Sequence, residues 1–188
     1  MPVEIHPYQQ IVDDLSATAG IKKPKVKFYN GRNAFYSPLT HRIFLSRGLV
    51  SKLSIDVLHI VLAHEVGHAK RRSALLLKIG GISFVPLGSW LVSSIFSLIV
   101  YQFFGRWPAL VMMAIGLMIT LIVMRKITPA LEAAQLVEEF AADQFAESAL
   151  GCRGGMEHAL RELARIEDGG NLGSQAESRI LQLRNETF

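Results

Sequence analysis

Cysteine is nearly absent from this chain. Among 188 residues there is one, Cys152, so no internal disulfide can form, and the composition fits a reducing compartment. Cys152 lies between Gly151 and Arg153 at an expected helix end, where it reads as a structural or surface thiol rather than a nucleophile. No signal peptide is expected either, since the opening MPVEIHPYQQ is polar and acidic, without an apolar core. The net charge is a modest +4. No aromatic-basic pattern accompanies it, which excludes nucleic acid as the expected partner. Internal repeats and low-complexity segments are absent too. Charge is scarce, at 19% of residues against 50% hydrophobic, a balance that points towards a membrane. Residues 79–104 contain no charged side chain over 26 positions, and residues 107–124 none over 18.

Each uncharged run is long enough to cross a hydrocarbon core. Gly105-Arg106 is a tight connection between them, so the pair reads as a transmembrane helical hairpin. Pro86 is a candidate kink in the first span. Trp90, Tyr101 and Trp107 are candidate interfacial rings. Lys70, Arg71, Arg72 and Lys78 precede the first span, Arg125 and Lys126 follow the second, and the loop carries only Arg106. That asymmetry puts both flanking regions, and so both termini, in the cytoplasm. The lipid bilayer is therefore one expected partner, and a bacterial cytoplasmic membrane the simplest setting.

The most informative stretch is His64-Glu65-Val66-Gly67-His68, at the end of the apolar run 57–63. Two histidines four apart share one helix face. That spacing lets both imidazoles reach one tetrahedral Zn²⁺, one ion per chain. Glu65 would then lie beside the water position and serve as general base. A third ligand is needed. Glu138-Glu139-Phe140-Ala141-Ala142-Asp143 supplies it on a later helix. Glu139 and Asp143 share a face; Glu139 can complete a His₂Glu set, and Asp143 can accept the free ring N–H of a ligand histidine. Glu138 competes as third ligand but has Ala142 where Glu139 has Asp143. The hairpin leaves the cytoplasm and returns, which lets residues 54–72 and 129–150 lie side by side.

The remaining chain frames this pair. Ile5 to Ala19 reads as an amphipathic helix stopped by Gly20. Lys25–Tyr29, Asn33–Tyr36 and His41–Ser46 read as short strands, with Asn30-Gly31 as a hairpin turn. The expected sheet is small and mostly antiparallel, with an edge strand near the site able to hold an extended peptide. Ser54 is the expected N-cap of the metal helix. Thr128-Pro129 is expected to open the helix that carries Glu139, which ends near Leu150. Helices are expected again over 156–167 and 177–184, around a loop at Gly169-Gly170-Asn171. His6 and His158 read as surface residues, and His59 as a packed neighbour. The class is α+β, mainly helical: one domain, 1–188, interrupted by the hairpin.

Val61 to His68, two apolar spans and Glu139-Phe140-x-Ala142-Asp143 together resemble the HtpX family of membrane zinc endopeptidases. The CAAX prenyl endopeptidases and mitochondrial Oma-type peptidases are similar relatives. Asn33-Ala34-Phe35 resembles that family's substrate-side strand, Phe44 to Leu49 the stretch ahead of the metal helix, and Glu177-Ser178-Arg179-Ile180 its C-terminal arginine segment. The resemblance covers roughly residues 25–184. It implies a zincin-like core in which His64, His68 and Glu139 bind zinc, Glu65 is the base, Asp143 and Arg179 organise the site, and Asn33, Ala34 and Phe35 bind a protein or peptide substrate. Arg179, Asn33 and Tyr36 are the candidates for stabilising an oxyanion. HtpX-type enzymes carry spans ahead of the catalytic region, which this sequence does not show, and Ser174-Gln175 stands where relatives show His-Pro. With one hairpin, an open site near the membrane surface is expected. The implied reaction is peptide-bond hydrolysis; a zinc-binding membrane regulator or adaptor with little proteolytic activity is the alternative.

Overall fold

A computed structural model of the chain describes residues 5–167 and 173–185. The expected loop at Gly169-Gly170-Asn171 lies outside the described residues. The chain divides into two compact units, one made of Met1–Leu75 with Leu136–Phe188 and the other of Leu76–Gln135.

In the first unit, helix α1 (His6–Ala19) carries Pro7 in its first turn, where a missing N–H costs nothing. Gly20 ends it at φ +67°, a left-handed conformation that only glycine adopts without strain. Gln9 clamps the start of the sheet to this helix. Its Oε1 accepts the Val26 N–H at 2.8 Å and its Nε2 donates to the Pro24 carbonyl at 3.1 Å.

The sheet comprises β1 (Lys25–Tyr29), β2 (Phe35–Ser37) and β3 (Arg42–Ser46), in the order β1-β3-β2. Central β3 buries Ile43 and Leu45 completely. β2 is antiparallel to β3, with Tyr36 opposite Ile43. β1 is parallel to β3, with Lys25 opposite Arg42 and Tyr29 opposite Ser46. The sheet is therefore mixed: the β2–β3 pair is antiparallel, the β1–β3 pair is parallel, and Asn30-Gly31 is not a hairpin turn between paired strands. The side chains around that connection explain why. Ser46 Oγ donates to the Gly31 carbonyl at 2.5 Å, Arg47 to Asn30 Oδ1 at 2.9 Å, and Tyr29 Oη to the Asn33 carbonyl at 2.7 Å. These bonds hold residues 30–34 open across the end of β3, so the chain reaches that strand's far side before it pairs.

Helix α2 (Arg47–Lys52) follows directly, with Ser46 Oγ accepting the Gly48 N–H at 3.1 Å. Helix α3 (Ile55–Lys70) is capped as expected: Ser54 Oγ accepts the Val57 N–H at 3.4 Å, and Asp56 sits in the first turn. α3 is buried nearly all round. α1, β2 and α6 (Gly155–Glu167) pack on it, and Leu58, Leu62 and Val66 fill the space between them. Helix α7 (Ser174–Asn185) lies against α6, with Ile180 in the core and Arg184 Nε bonded to Glu157 at 3.0 Å.

Helix α4 (Arg72–Phe104) starts earlier than the uncharged run and contains Pro86 without ending there. Gly105, at φ +83°, makes the turn. Helix α5 (Arg106–Leu150) then continues through Thr128 and Pro129. The expected helix start at Thr128-Pro129 is therefore corrected. Thr128 Oγ1 donates back to the Met124 carbonyl at 2.8 Å, so it behaves as a mid-helix residue and not as a cap. α4 and α5 are both long and apolar enough to cross a membrane. Within the second unit their contact is a seam of small and hydroxyl side chains. Ser89 Oγ and Thr120 Oγ1 lie 2.6 Å apart, and Ser97 Oγ donates to the Ala109 carbonyl at 2.9 Å. Large apolar side chains such as Leu98, Phe103 and Trp107 lie outward and exposed.

Candidate metal centre

Three elements of the first unit meet at one point. α3 presents His64, Glu65 and His68; the C-terminal part of α5 presents Glu139 and Asp143; α7 presents Arg179. Glycine makes the first meeting possible. A Cβ built on Gly67 would lie 2.8 Å from Ala142 Cα and 3.1 Å from its carbonyl oxygen. Only the smallest residue on α3, opposite alanine on α5, lets the two backbones come this close. Gly67 lies between the histidines and Ala142 between the two carboxylates, so the same contact sets the distance across the cluster.

The result is a compact donor set. His64 Nε2 and His68 Nε2 are 3.1 Å apart; Glu139 places Oε2 3.4 Å from the first and Oε1 3.5 Å from the second. One ligand atom from each of the three residues lies within 4.8 Å of the others. Two imidazole nitrogens and a carboxylate facing one point suit a borderline cation such as zinc. His64 Nδ1 donates to Asp143 Oδ1 at 2.8 Å, which leaves the Nε2 lone pair for the centre. Asp143 is fully buried and bound by Arg179 through two nitrogens, one of them Nε at 2.7 Å. Arg179 also reaches Glu139 Oε2 with Nη1 at 3.2 Å. A single guanidinium therefore spans both carboxylates of the α5 face.

Glu65 is buried beside this set. Its carboxylate takes a hydrogen bond from the backbone of Tyr36 in β2, while Oε2 has no partner among the described residues. Burial raises its pKa above the ordinary glutamate value against the opposing charges of His64 and His68, which makes it a stronger base than a solvated carboxylate. Burial alone would lower the His64 imidazole, but hydrogen bonds to Asp143 and Glu139 and the nearby charges outweigh it and raise the group to about 9. For Glu139 and Asp143 burial works upward, yet the histidine bonds hold Glu139 well below the usual carboxylate range and, joined by Arg179, lower Asp143 too.

Glu138 points elsewhere. Its carboxylate is held by Arg71 in two bonds of 2.5 and 2.7 Å, outside the donor set. The Tyr36 hydroxyl lies 2.7 Å from His41 Nδ1, and Asn33 sits in the connection before β2. β2 is an edge strand, as expected. Phe35 lies on its outer face, stacked on Phe44 at 4.9 Å, and Ala34 packs partly against the core. His59 is half-buried and outside the cluster, and His6 and His158 are exposed. Cys152 is half-buried, its thiol pKa raised by burial and by Glu147. Gly67, Ala142, Arg71 and the Tyr36 backbone escaped the sequence reading. A small residue on each of the two site-bearing helices was the signal for the first two.

Two histidines one helical turn apart, a carboxylate from a second helix and a buried glutamate next in sequence to the first histidine form the arrangement of a metal-dependent hydrolase centre. Comparison with known proteins narrows the class. The model of Peptidase family M48 matches residues 5–186, and the chain belongs to that family. Curated relatives named "Protease HtpX homolog" are similar to it. One from Aeropyrum pernix is 36% identical over 43% of this chain and 26% of its own length, and one from Bacteroides fragilis is 32% identical over 51% and 31%. A third, from a Sulfurihydrogenibium species, is 35% identical over 37% and 25%. The chain thus matches about a quarter to a third of the length of these relatives. No solved structure matches it.

Proposed function

We propose that this chain is a membrane-embedded zinc endopeptidase that hydrolyses protein substrates at the cytoplasmic face. The observation that carries the reading is the meeting of His64, His68 and Glu139 beside a buried Glu65 with one oxygen unpartnered. His64, His68 and Glu139 would hold the ion. Bound there, zinc supplies Lewis-acid polarisation of a scissile carbonyl and acidification of water. The chain's own residues do the rest. Glu65 takes a proton from water and returns it to the departing amine. Asp143 keeps His64 in the tautomer whose Nε2 is free, and Arg179 keeps Asp143 ionised and in place. The free edge of β2 offers main-chain groups to an extended substrate beside Glu65, with Asn33, Ala34 and Phe35 at its start. Arg179, Asn33 and Tyr36 are the candidates for holding developing negative charge, and Arg179 is the one that touches the donor set. Its reach to Glu139 supports that role. The membrane setting rests on α4 and α5, and the cytoplasmic orientation on the basic residues that flank them.

The test is cleavage of casein by the full chain purified in detergent with zinc, beside Glu65→Gln, with metal content measured on both. Zinc in both and cleavage by the wild type alone is the expected result. Absence of zinc from both would remove the ligand assignment. Zinc without cleavage in either would favour a binding module over an enzyme.

A further inference from the structure

Between Asp14 and Asp56 the chain has no acidic residue, yet it has eight basic ones: Lys22, Lys23, Lys25, Lys27, Arg32, Arg42, Arg47 and Lys52. This stretch contains the whole sheet. At one end of it is the turn 38–41 between β2 and β3, whose tip residue, Leu39, is 69% exposed. The turn is not loose. His41 stands at φ +52°, a costly position for a residue with a Cβ. Both of its ring nitrogens are engaged: Nε2 donates to the Lys22 carbonyl at 2.9 Å, and Nδ1 accepts the Tyr36 hydroxyl at 2.7 Å. The same bonds bring Lys22 to the turn, and strand pairing sets Lys25 beside Arg42. A second tether comes from further along the chain. Arg72 Nε donates to the Pro38 carbonyl at 2.8 Å. Arg72 is the first residue of α4 and stands only seven residues before Ile79, where the uncharged run begins. Seven helical residues span about 10 Å.

We propose that the β2–β3 turn is a membrane-interface contact, with Leu39 seated at the boundary of the acyl chains and Lys22, Lys25, Arg42 and Arg72 around it on anionic lipid headgroups. The inference rests on the reading of α4 and α5 as membrane-spanning. An exposed apolar tip with cations beside it, tethered to Arg72, matches a negatively charged bilayer surface in polarity and charge.

The test uses the full chain in proteoliposomes, in a Cys152→Ser background, with an environment-sensitive thiol probe at Leu39→Cys, Ser51→Cys or Leu98→Cys. Vesicles are phosphatidylcholine alone or mixed with phosphatidylglycerol, with a quencher carried at shallow depth on a lipid. The probe at 39 is expected to shift to the blue and be quenched in the anionic vesicles, more than in the neutral ones. The probe at 51, beyond the opposite end of β3, should show neither effect, and the probe at 98 should report lipid in both. Each cation near the surface strengthens such contact roughly fivefold, so Lys25→Glu with Arg42→Glu should abolish the signal at 39 and leave that at 98. Water-like emission at 39 with lipid-like emission at 98 would overturn this proposal alone. Water-like emission at 98 would remove the spanning reading and this proposal with it. Equal signals at 39 in the two vesicle types, or a shift only when casein is added, would overturn recognition of anionic lipid.

Discussion

Helix α3 of the first unit and the helices of the second are all rich in apolar residues, yet the two units treat them in opposite ways. α3 is apolar and buried: Leu62 and Val66 are fully covered by protein. α4 and the first part of α5 are apolar and uncovered, with Leu98 69% and Phe103 76% exposed. Polar groups are handled differently too. In the first unit they are charged, buried and gathered into one network from His64 to Arg179. In the second they are hydroxyls along one seam. Hydropathy alone does not separate the two cases. What separates them is length without charge, together with a charged network that needs dry surroundings. The first unit makes its own apolar interior, whereas the second presents an apolar exterior that suits lipid.

Breaking the charged network is the harshest way to test this contrast. Asp143→Ala leaves the largely buried Arg179 with one carboxylate neighbour instead of two and strips His64 of its Nδ1 acceptor. A loss of about 3–5 kcal/mol in stability is expected, because an uncompensated buried charge costs that much. Metal affinity should fall roughly 10–100-fold. Thermal unfolding with and without zinc measures both, and an unchanged melting temperature would show that the network contributes nothing to the fold.

Acidity tests the same network without mutation. In the metal-free chain His64 is raised to about 9 from an ordinary 6.5. A raised pKa contributes stability that is complete below 6.5 and is lost as pH climbs to about 9, here roughly 3 kcal/mol. His64 must shed that proton to ligate a metal, so zinc affinity should rise with pH across the same window, by up to tenfold per unit. Glu139 and Asp143 work in the opposite direction. Their depressed values contribute stability that is present above the ordinary carboxylate range and is lost as pH falls below it. The uncharged runs 79–104 and 107–124 contain no histidine or carboxylate. The window near neutrality therefore belongs to the first unit. Zinc titration at stepped pH checks it, and a flat profile from 6.5 to 9 would contradict the proton assigned to His64.

The sequence made the site's donors legible because helix period is arithmetic: positions four apart share a face wherever the helix goes. His64, His68, Glu139 and Asp143 were therefore identifiable as candidates, Arg179 came from the family resemblance alone, and the structure brings the five together. The uncharged runs were legible for the same reason, as length and composition. What could not be read was which elements become neighbours. The parallel pairing of β1 with β3 depends on Ser46, Arg47 and Tyr29 holding the 30–34 connection open. The choice between Glu138 and Glu139 is fixed by Arg71, 67 residues away in sequence. Pro129 and Thr128 look like a helix start, yet both sit within a helix already formed, since proline's local preference is overridden where neighbouring turns carry the chain through.

Glycine gives a finer comparison, because each unit has a glycine where two helices approach closely. Gly67→Ala pushes a Cβ into the Ala142 backbone at 2.8 Å, and neither partner can rotate away. About 1–3 kcal/mol of destabilisation is expected from overpacking. The variant should also bind zinc more weakly, since parting α3 from α5 carries Glu139 away from His64 and His68. A variant with wild-type metal affinity would show that this contact does not set the site.

Gly116→Ala is the matched change in the hairpin. Its Cβ would lie 2.4 Å from Ser93 Cβ, so α4 and α5 must part slightly there as well. Only packing and the neighbouring hydroxyl contact between Ser89 and Thr120 are at stake. A cost of about 1 kcal/mol is expected for a seam of this kind, with zinc affinity unchanged. Gly88→Ala sets the baseline, because nothing lies within 4 Å of its added Cβ. Helix propensity then acts alone and favours the alanine by up to about 1 kcal/mol. The three variants separate two consequences of bringing helices together. If zinc affinity falls for Gly67→Ala and stays fixed for the other two, close approach in the first unit sets the ligand distance, while in the second it only holds a hairpin closed. If Gly116→Ala weakens zinc binding as much as Gly67→Ala does, the two units are energetically one, and the hairpin is part of the machinery that positions Glu139.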